Sequence, residues 1–367
     1  MKKLLCSVVL GCSCLGLANA QTAKDTSLQV SGSGDVYYRY DLAQSKTTIP
    51  SQDALGTKQN SIDFGMLDLR VKKDFGKASV FSELAFGARA ASTIDNNGSS
   101  PLSYYLQNLY FSYQVDKKLA LSAGIMYRYD MYEKLTPADN FSYLASNAFL
   151  ESRKIPTRSV GIKANYAFSD MVTLSLGLFN SIDATNLNSA DAVASNPNYG
   201  LSDVVAQLFV NPTKDLNLSA AVWKEGQSNK GTHENLQVHY HVAKGLKLGL
   251  DFNNYTGSDS TTQAANAFNN FTSVALYAQK SFTKMFSLGA RIEHEQTQQN
   301  TITKSFVNEN YNIITLTGKE KLGGISLKEE IKYDMTDNSN LNTPYLDKNG
   351  AATNKDIQFV LAAIFSF

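Results

Sequence analysis

The chain has 367 residues, with 34 Lys and Arg against 33 Asp and Glu. That near balance leaves no electrostatic footprint for nucleic acid, so none is expected as a partner. Tyr and Phe number 19 each while Pro numbers 7, a mix that suits β structure, and the mean hydropathy of −0.25 is no higher than that of a water-soluble protein.

Lys2 and Lys3 precede an apolar run from Leu4 to about Leu17, and Ala18-Asn19-Ala20 supplies small residues ahead of Gln21. This reads as a cleaved signal peptide over 1–20, with a better cleavage site than a lipobox at Cys12 would offer. Cys6, Cys12 and Cys14 all lie in it, so the mature chain 21–367 is expected to lack disulfides, Cys-ligated zinc and Cys nucleophiles. No later apolar run is long enough for a transmembrane helix.

Beyond the leader, apolar residues recur with period two. The first strand, about 27–41, sets Leu28, Val30, Val36, Tyr38 and Tyr40 against Gln29, Asp35, Arg39 and Asp41. In 60–73 the apolar phase slips from Ile62, Phe64 and Met66 to Leu67, Leu69 and Val71; a β-bulge or an apolar patch on the inner face would explain it. The third strand, 77–89, sets Ala78, Val80, Leu84 and Phe86 against Ser79, Glu83 and Arg89. The sixth, 158–168, carries Val160, Ile162, Ala164, Tyr166 and Phe168 on one face, and the seventh carries Val172, Leu174, Leu176 and Leu178. Further on, Leu236, Val238, Tyr240 and Val242 oppose Gln237, His239 and His241, while Leu246, Leu248, Leu250 and Phe252 oppose Lys247 and Asp251. Segments 201–211, 270–282 and 308–320 alternate less regularly. The last strand ends KDIQFVLAAIFSF, with Ile357, Phe359, Leu361, Ala363, Phe365 and Phe367 on one face.

Connections alternate in length. Tight turns fall near 74–76, 116–117, 169–170, 212–215, 243–245, 283–284 and 322–324. Longer polar stretches fall near 42–59, 90–101, 129–157, 183–200, 226–232, 257–269, 297–307 and 337–354. This predicts an all-β, antiparallel, up-and-down transmembrane barrel of sixteen strands, or fourteen if 201–211 and 308–320 stay out of the membrane, with short periplasmic turns and long outer loops. Outward aromatics sort by height: Tyr38, Tyr40, Tyr127, Phe252 and Tyr333 toward the outer rim, and Tyr113, Phe168, Phe282, Phe286, Phe365 and Phe367 toward the periplasmic rim. Two girdles around an aliphatic band are what a bilayer demands, and outer-membrane lipid is the partner they imply.

The longest loop, 129–157, carries Leu135, Phe141, Tyr143, Leu144, Phe149 and Leu150, too much apolar surface for a solvated tail. Its charges are Asp130, Glu133, Lys134, Asp139, Glu151, Arg153 and Lys154. Asp35, Glu83, Lys163, His239, Asp251, Arg291, Glu293 and Glu330 fall on the lumen wall near mid-height. Charges facing one another across a lumen set an ion preference; the signs are mixed, with a slight acidic excess that leans toward cations. For any one of them the bland alternative is a solvated lumen side chain. His239 and His241 make a poor metal site on their own, so neither metal nor cofactor is expected, and no phosphate loop or nucleophile elbow suggests an enzyme.

From about Gly124 to Phe209 the chain resembles the second β-barrel porin family of Gram-negative bacteria, through SAGIMYRYDMYE, DNFSY and GIKANYAFSDMVTLSLGLFNSID. Tyr132-Glu133 and Asn140-Phe141-Ser142 align with the family's motifs, while Met131 and Ser181 stand where glycine is common. VSGSGDVYYRYDL resembles the family's first strand, and the terminal Phe resembles the signal read by the barrel-assembly machinery. The resemblance implies a pore-forming outer-membrane protein of poorly defined substrate; with the barrel pattern, the expected function is a water-filled channel for passive diffusion of ions and small hydrophilic solutes. By analogy with general porins, loop 129–157 would fold inward to narrow the pore, the alternative being an external loop packed over the barrel rim, and the protein could assemble as a homotrimer. The alternatives are a substrate-preferring channel with Tyr129, Tyr132, Phe141 and Tyr143 as a binding track, or a plugged structural or adhesive barrel.

Overall fold

The computed structural model describes residues 27–42, 60–91, 105–147, 149, 158–180, 200–226, 231–257, 270–300, 306–337, 345–349 and 351–367. Residues 1–20, where the sequence predicts a signal peptide, and the loop charges Glu151, Arg153 and Lys154 lie outside them.

Sixteen antiparallel strands close into one barrel. They are β1 Gln29–Asp41, β2 Ser61–Phe75, β3 Ala78–Phe86, β4 Leu106–Gln114, β5 Leu119–Tyr127, β6 Arg158–Ala167, β7 Val172–Asn180, β8 Leu201–Thr213, β9 Leu216–Lys224, β10 Thr232–Ala243, β11 Leu246–Thr256, β12 Asn270–Ser281, β13 Phe286–Asn300, β14 Phe306–Leu322, β15 Ile325–Thr336 and β18 Lys355–Ser366. A short hairpin, β16 Tyr345–Leu346 with β17 Ala352–Thr353, stands apart in the loop before β18. Closure matters because lipid cannot satisfy an open edge of N–H and C=O groups. Here β18 pairs with both β15 and β1, and the Phe367 and Gly32 backbones exchange two hydrogen bonds of 3.0 Å. The Phe365 and Phe367 rings cover Gly34 and Gly32 on β1, in space that a Cβ at either glycine would occupy.

All seven tight turns lie where the sequence puts them. The three weakly alternating segments are membrane strands, β8, β12 and β14, which makes the count sixteen rather than fourteen. Their irregularity comes from the lumen side: on β14 Ile313 faces inward and is buried, so an apolar residue breaks the alternation. In β2 the slipped phase is a bulge. Asp35 faces Met66 and Val36 faces Phe64, so Gly65 is the extra residue; Ile62 and Phe64 point outward before it, and Met66 points inward after it.

The third strand is shorter than its pattern. Gly87, at φ 110°, ends it, and a single helical turn α1, Ala88–Ala91, follows. Arg89 therefore lies on α1 rather than on the strand's inner face, and it is buried. Of the girdle residues, Tyr40, Phe252, Tyr113, Phe168, Phe282, Phe365 and Phe367 are exposed on the outward face. Tyr38, Tyr333 and Phe286 are partly exposed on the same face, with Phe286 stacked on Phe282 at 6.0 Å. Tyr127 is the exception. It closes β5, where the chain turns into the lumen, and it packs against the cluster of Met66, Met131 and Phe149 instead of lipid.

Candidate pore constriction

Past Tyr127 the chain enters the barrel and crosses it. The turn is fixed at Arg128. Its Nε donates to Asp130 Oδ1 at 3.0 Å, its guanidinium lies 4.5 Å from the Trp223 ring centre, and His233 Nδ1 stands 2.6 Å from its Nη2. Gln237 on the same strand as His233 donates to the Asp130 carbonyl at 2.8 Å. Burial works against the Asp130 charge, but the Arg128 guanidinium and the His233 ring hold its carboxyl well below the usual range, so it stays ionised.

The following aromatics are packed against the wall. Tyr129 leans at a tilt on the stacked Phe179 and Trp223 rings, with Lys163 Nζ 4.2 Å from its ring centre. Tyr132 is stacked between His239 at 4.3 Å and Tyr277 at 4.2 Å. Glu133 then accepts Arg291 Nη1 at 2.8 Å and the Ser146 N–H at 2.7 Å.

The segment next makes a tight excursion. Asn140 spans its neck, accepting the Lys134 N–H at 2.8 Å and donating to the Lys134 carbonyl at 2.6 Å, while Lys134 Nζ reaches the Met131 carbonyl. Between them lies a 3-10 turn, Pro137–Asp139. Its Asp139 takes Arg70 Nη2 at 2.6 Å, and the same nitrogen donates to Thr136 Oγ1. Arg70 also holds Glu83 and Asp68, each at 3.0 Å. Lys328 donates to the carbonyls of Pro137, Asn140 and Ser142.

On the return, Glu330 accepts the N–H groups of Tyr143 and Leu144 at 2.8 and 2.7 Å. Tyr143 Oη donates to Asp35, and Arg89 donates to the Tyr143 carbonyl at 2.8 Å. Arg291, itself buried, also bonds the carbonyls of Leu144 and Ala145, and its neighbour Glu293 accepts the Asn147 N–H at 2.8 Å. Beneath, Met131, Leu135, Ala145 and Phe149 bury apolar surface on Met66, Ala85 and Ala90.

Of the wall residues read from the sequence, Asp35, Lys163, His239, Arg291, Glu293 and Glu330 thus touch this segment directly. Glu83 reaches it through Arg70, and Asp251 instead accepts Asn235 at 2.8 Å. Arg70, Arg128, His233 and Lys328 are anchors that the sequence reading passed over. Arg70 and Lys328 alternate in phase with Asp68 and Glu330, which was the available signal. Arg128 and His233 meet only in the folded barrel.

The family model described as "Putative beta-barrel porin-2, OmpL-like" matches residues 27–367. The chain belongs to this porin family. Among curated proteins none matches it. Among solved structures it is similar to the outer-membrane-expressed OmpT of Vibrio cholerae at 11% identity and TM-score 0.58, covering 95% of this chain and 100% of that one. An anion-selective porin from Comamonas acidovorans gives 12% identity and TM-score 0.58, over 93% and 99% of the two chains. Salmonella typhi OmpF gives 9% identity and TM-score 0.56, over 94% and 100%. At such identities the likeness is one of fold. Family and fold together make this porin a passive channel of the bacterial outer membrane.

Proposed function

We propose that this porin passes ions and small hydrophilic solutes, and that residues 128–149 set the cross-section of its pore. The observation that carries the reading is the span of the segment's anchors. Asp130 is tied to β10 through Gln237, and Asp139 to β2 through Arg70. Those strands lie eight places apart around the sixteen-strand ring, so the segment crosses the full lumen. A solute has to pass beside it.

An aromatic binding track is less well supported. Tyr143 is fully buried and Tyr132 has a ring against each face, so neither offers a surface to a passing solute. The protein acts as a channel and not as an enzyme, with specificity from radius and charge. It is exported through the leader 1–20, which is cleaved, and inserted by the barrel-assembly machinery with lipid around its outward face and the tight turns in the periplasm. Assembly as a homotrimer is in keeping with the trimer form of the Vibrio cholerae OmpT.

Planar-bilayer recording of the purified barrel tests this. Stepwise, ohmic current is the expected result, and silence from well-folded protein overturns the channel reading.

A further inference from the structure

The lumen charges divide by solvent exposure. Most of its carboxylates are buried, among them Asp35, Asp130, Glu133, Asp203, Glu225, Asp251, Glu293, Glu330 and Asp356, while Glu83 and Asp139 are half-buried and tied to Arg70. Most take donors that hold them in place, as Asp203 takes the Trp223 indole N–H and the Gly226 N–H, and Asp356 takes Gln358 Nε2. Toward the tight-turn end the inward positions change character. Lys247 on β11 and Lys321 on β14 are exposed, and Lys319 on β14 is half-buried.

All three point inward. Lys319 and Lys321 share the phase of the buried Thr315 and Thr317, and Lys247 that of the buried Asp251 and Asn253. The register deepens the cluster: Lys319 sits directly opposite Lys328, and Lys247 directly opposite His241. Between β11 and β14 the wall at this height carries Gln279, Ser287 and Gly289, with no charge. Lys319 stands in the electrostatic field of Lys321 and Lys247 and, with the opposite sign, of Asp139. Among the described residues no carboxylate lies within ion-pair distance of any of the three ammonium groups. Asp139, the loop acid on this side, is committed to Arg70, and Asp215 shares a shallow depression with His241, Lys244 and Lys247 at the rim.

We propose that Lys247, Lys319 and Lys321 form an anion-attracting arc beside the crossing segment, where small oxyanions and chloride concentrate on their way through the pore. This rests on the diffusion-channel reading and gives it a sign, opposite to the cation lean of the sequence charges. Wet, unpaired ammonium groups focus counter-ions, whereas a buried, hydrogen-bonded carboxylate presents little field to the lumen.

The test is the reversal potential of the wild-type barrel in a steep KCl gradient, with inorganic phosphate as a second probe. The expected result is a chloride-side potential and a current that phosphate partly blocks. The triple variant Lys247→Gln, Lys319→Gln, Lys321→Gln should lower the chloride-to-potassium ratio several-fold and relieve the block. Lys280→Gln, near the same rim but on the outward face beside Leu246 and Leu288, should change neither. A potassium-side potential in wild type, or a ratio indifferent to the triple variant, overturns the arc while leaving the channel intact. Absence of current overturns the channel itself, and the arc falls with it.

Discussion

The belt of charge around residues 128–149 and the lysine arc below it differ in one respect, contact with water. In the belt, Arg291 holds Glu133 and Glu293 while buried, and Arg128 holds Asp130. In the arc, Lys247 and Lys321 are exposed. A buried pair fixes structure, because removing one partner strands the other in a low dielectric; an exposed charge is available to a passing ion. Counting lumen charges without that distinction weighs buried carboxylates equally with exposed ammonium groups.

The comparison breaks first at Arg291. Arg291→Met leaves Glu133 and Glu293 buried without their cation and should cost about 3–5 kcal/mol in docking of the segment. Denaturant unfolding together with protease cleavage within 128–149 would read this, and Lys319→Met in the arc should move stability by no more than about 0.5 kcal/mol. Equal effects at both sites would erase the distinction. Next, Ile292→Arg, midway along the outward face of β13, should cost about 2–4 kcal/mol in lipid and is read by equilibrium unfolding in bilayers. A smaller effect belongs to Gly65→Ala. The added methyl would overlap the Asp35 carboxylate and crowd Tyr143 Oη, at about 1–3 kcal/mol, visible as greater current noise from a loosened segment. The smallest is Asp116→Ala in the turn between β4 and β5. Asp116 accepts the N–H groups of Lys118 and Leu119, and these bonds hold its carboxyl below the usual range. Its contribution is therefore full above the ordinary aspartate value and is lost as pH falls through the lowered one. Acid titration of wild type and variant should converge at low pH.

The outward half of this barrel was legible in the sequence because lipid imposes a rule on every second residue. Leu174, Leu176 and Leu178, or Leu246, Leu248 and Leu250, need no partner beyond it, and the turns between strands announce themselves. The bulge at Gly65 was legible as a slipped phase. The inward half obeys no local rule. Arg291 and Glu133 are separated by 158 positions, and Glu330 and the Tyr143 N–H by 187, so each pairing exists only once the ring has closed. Tyr127 was misplaced for the same reason. Its alternation is that of a lipid-facing residue, and only the inward turn of the chain after β5 removes it from the bilayer. The identity of loop charges such as Asp139 was legible, but their being consumed by Arg70 was not.

The most direct test of the central claim, that the crossing segment narrows the pore, is single-channel conductance after deletion of residues 136–143, which removes the anchors to Arg70, Lys328 and Asp35 together. The account predicts a barrel that still folds and conducts severalfold more than wild type; a folded barrel of unchanged conductance would contradict it.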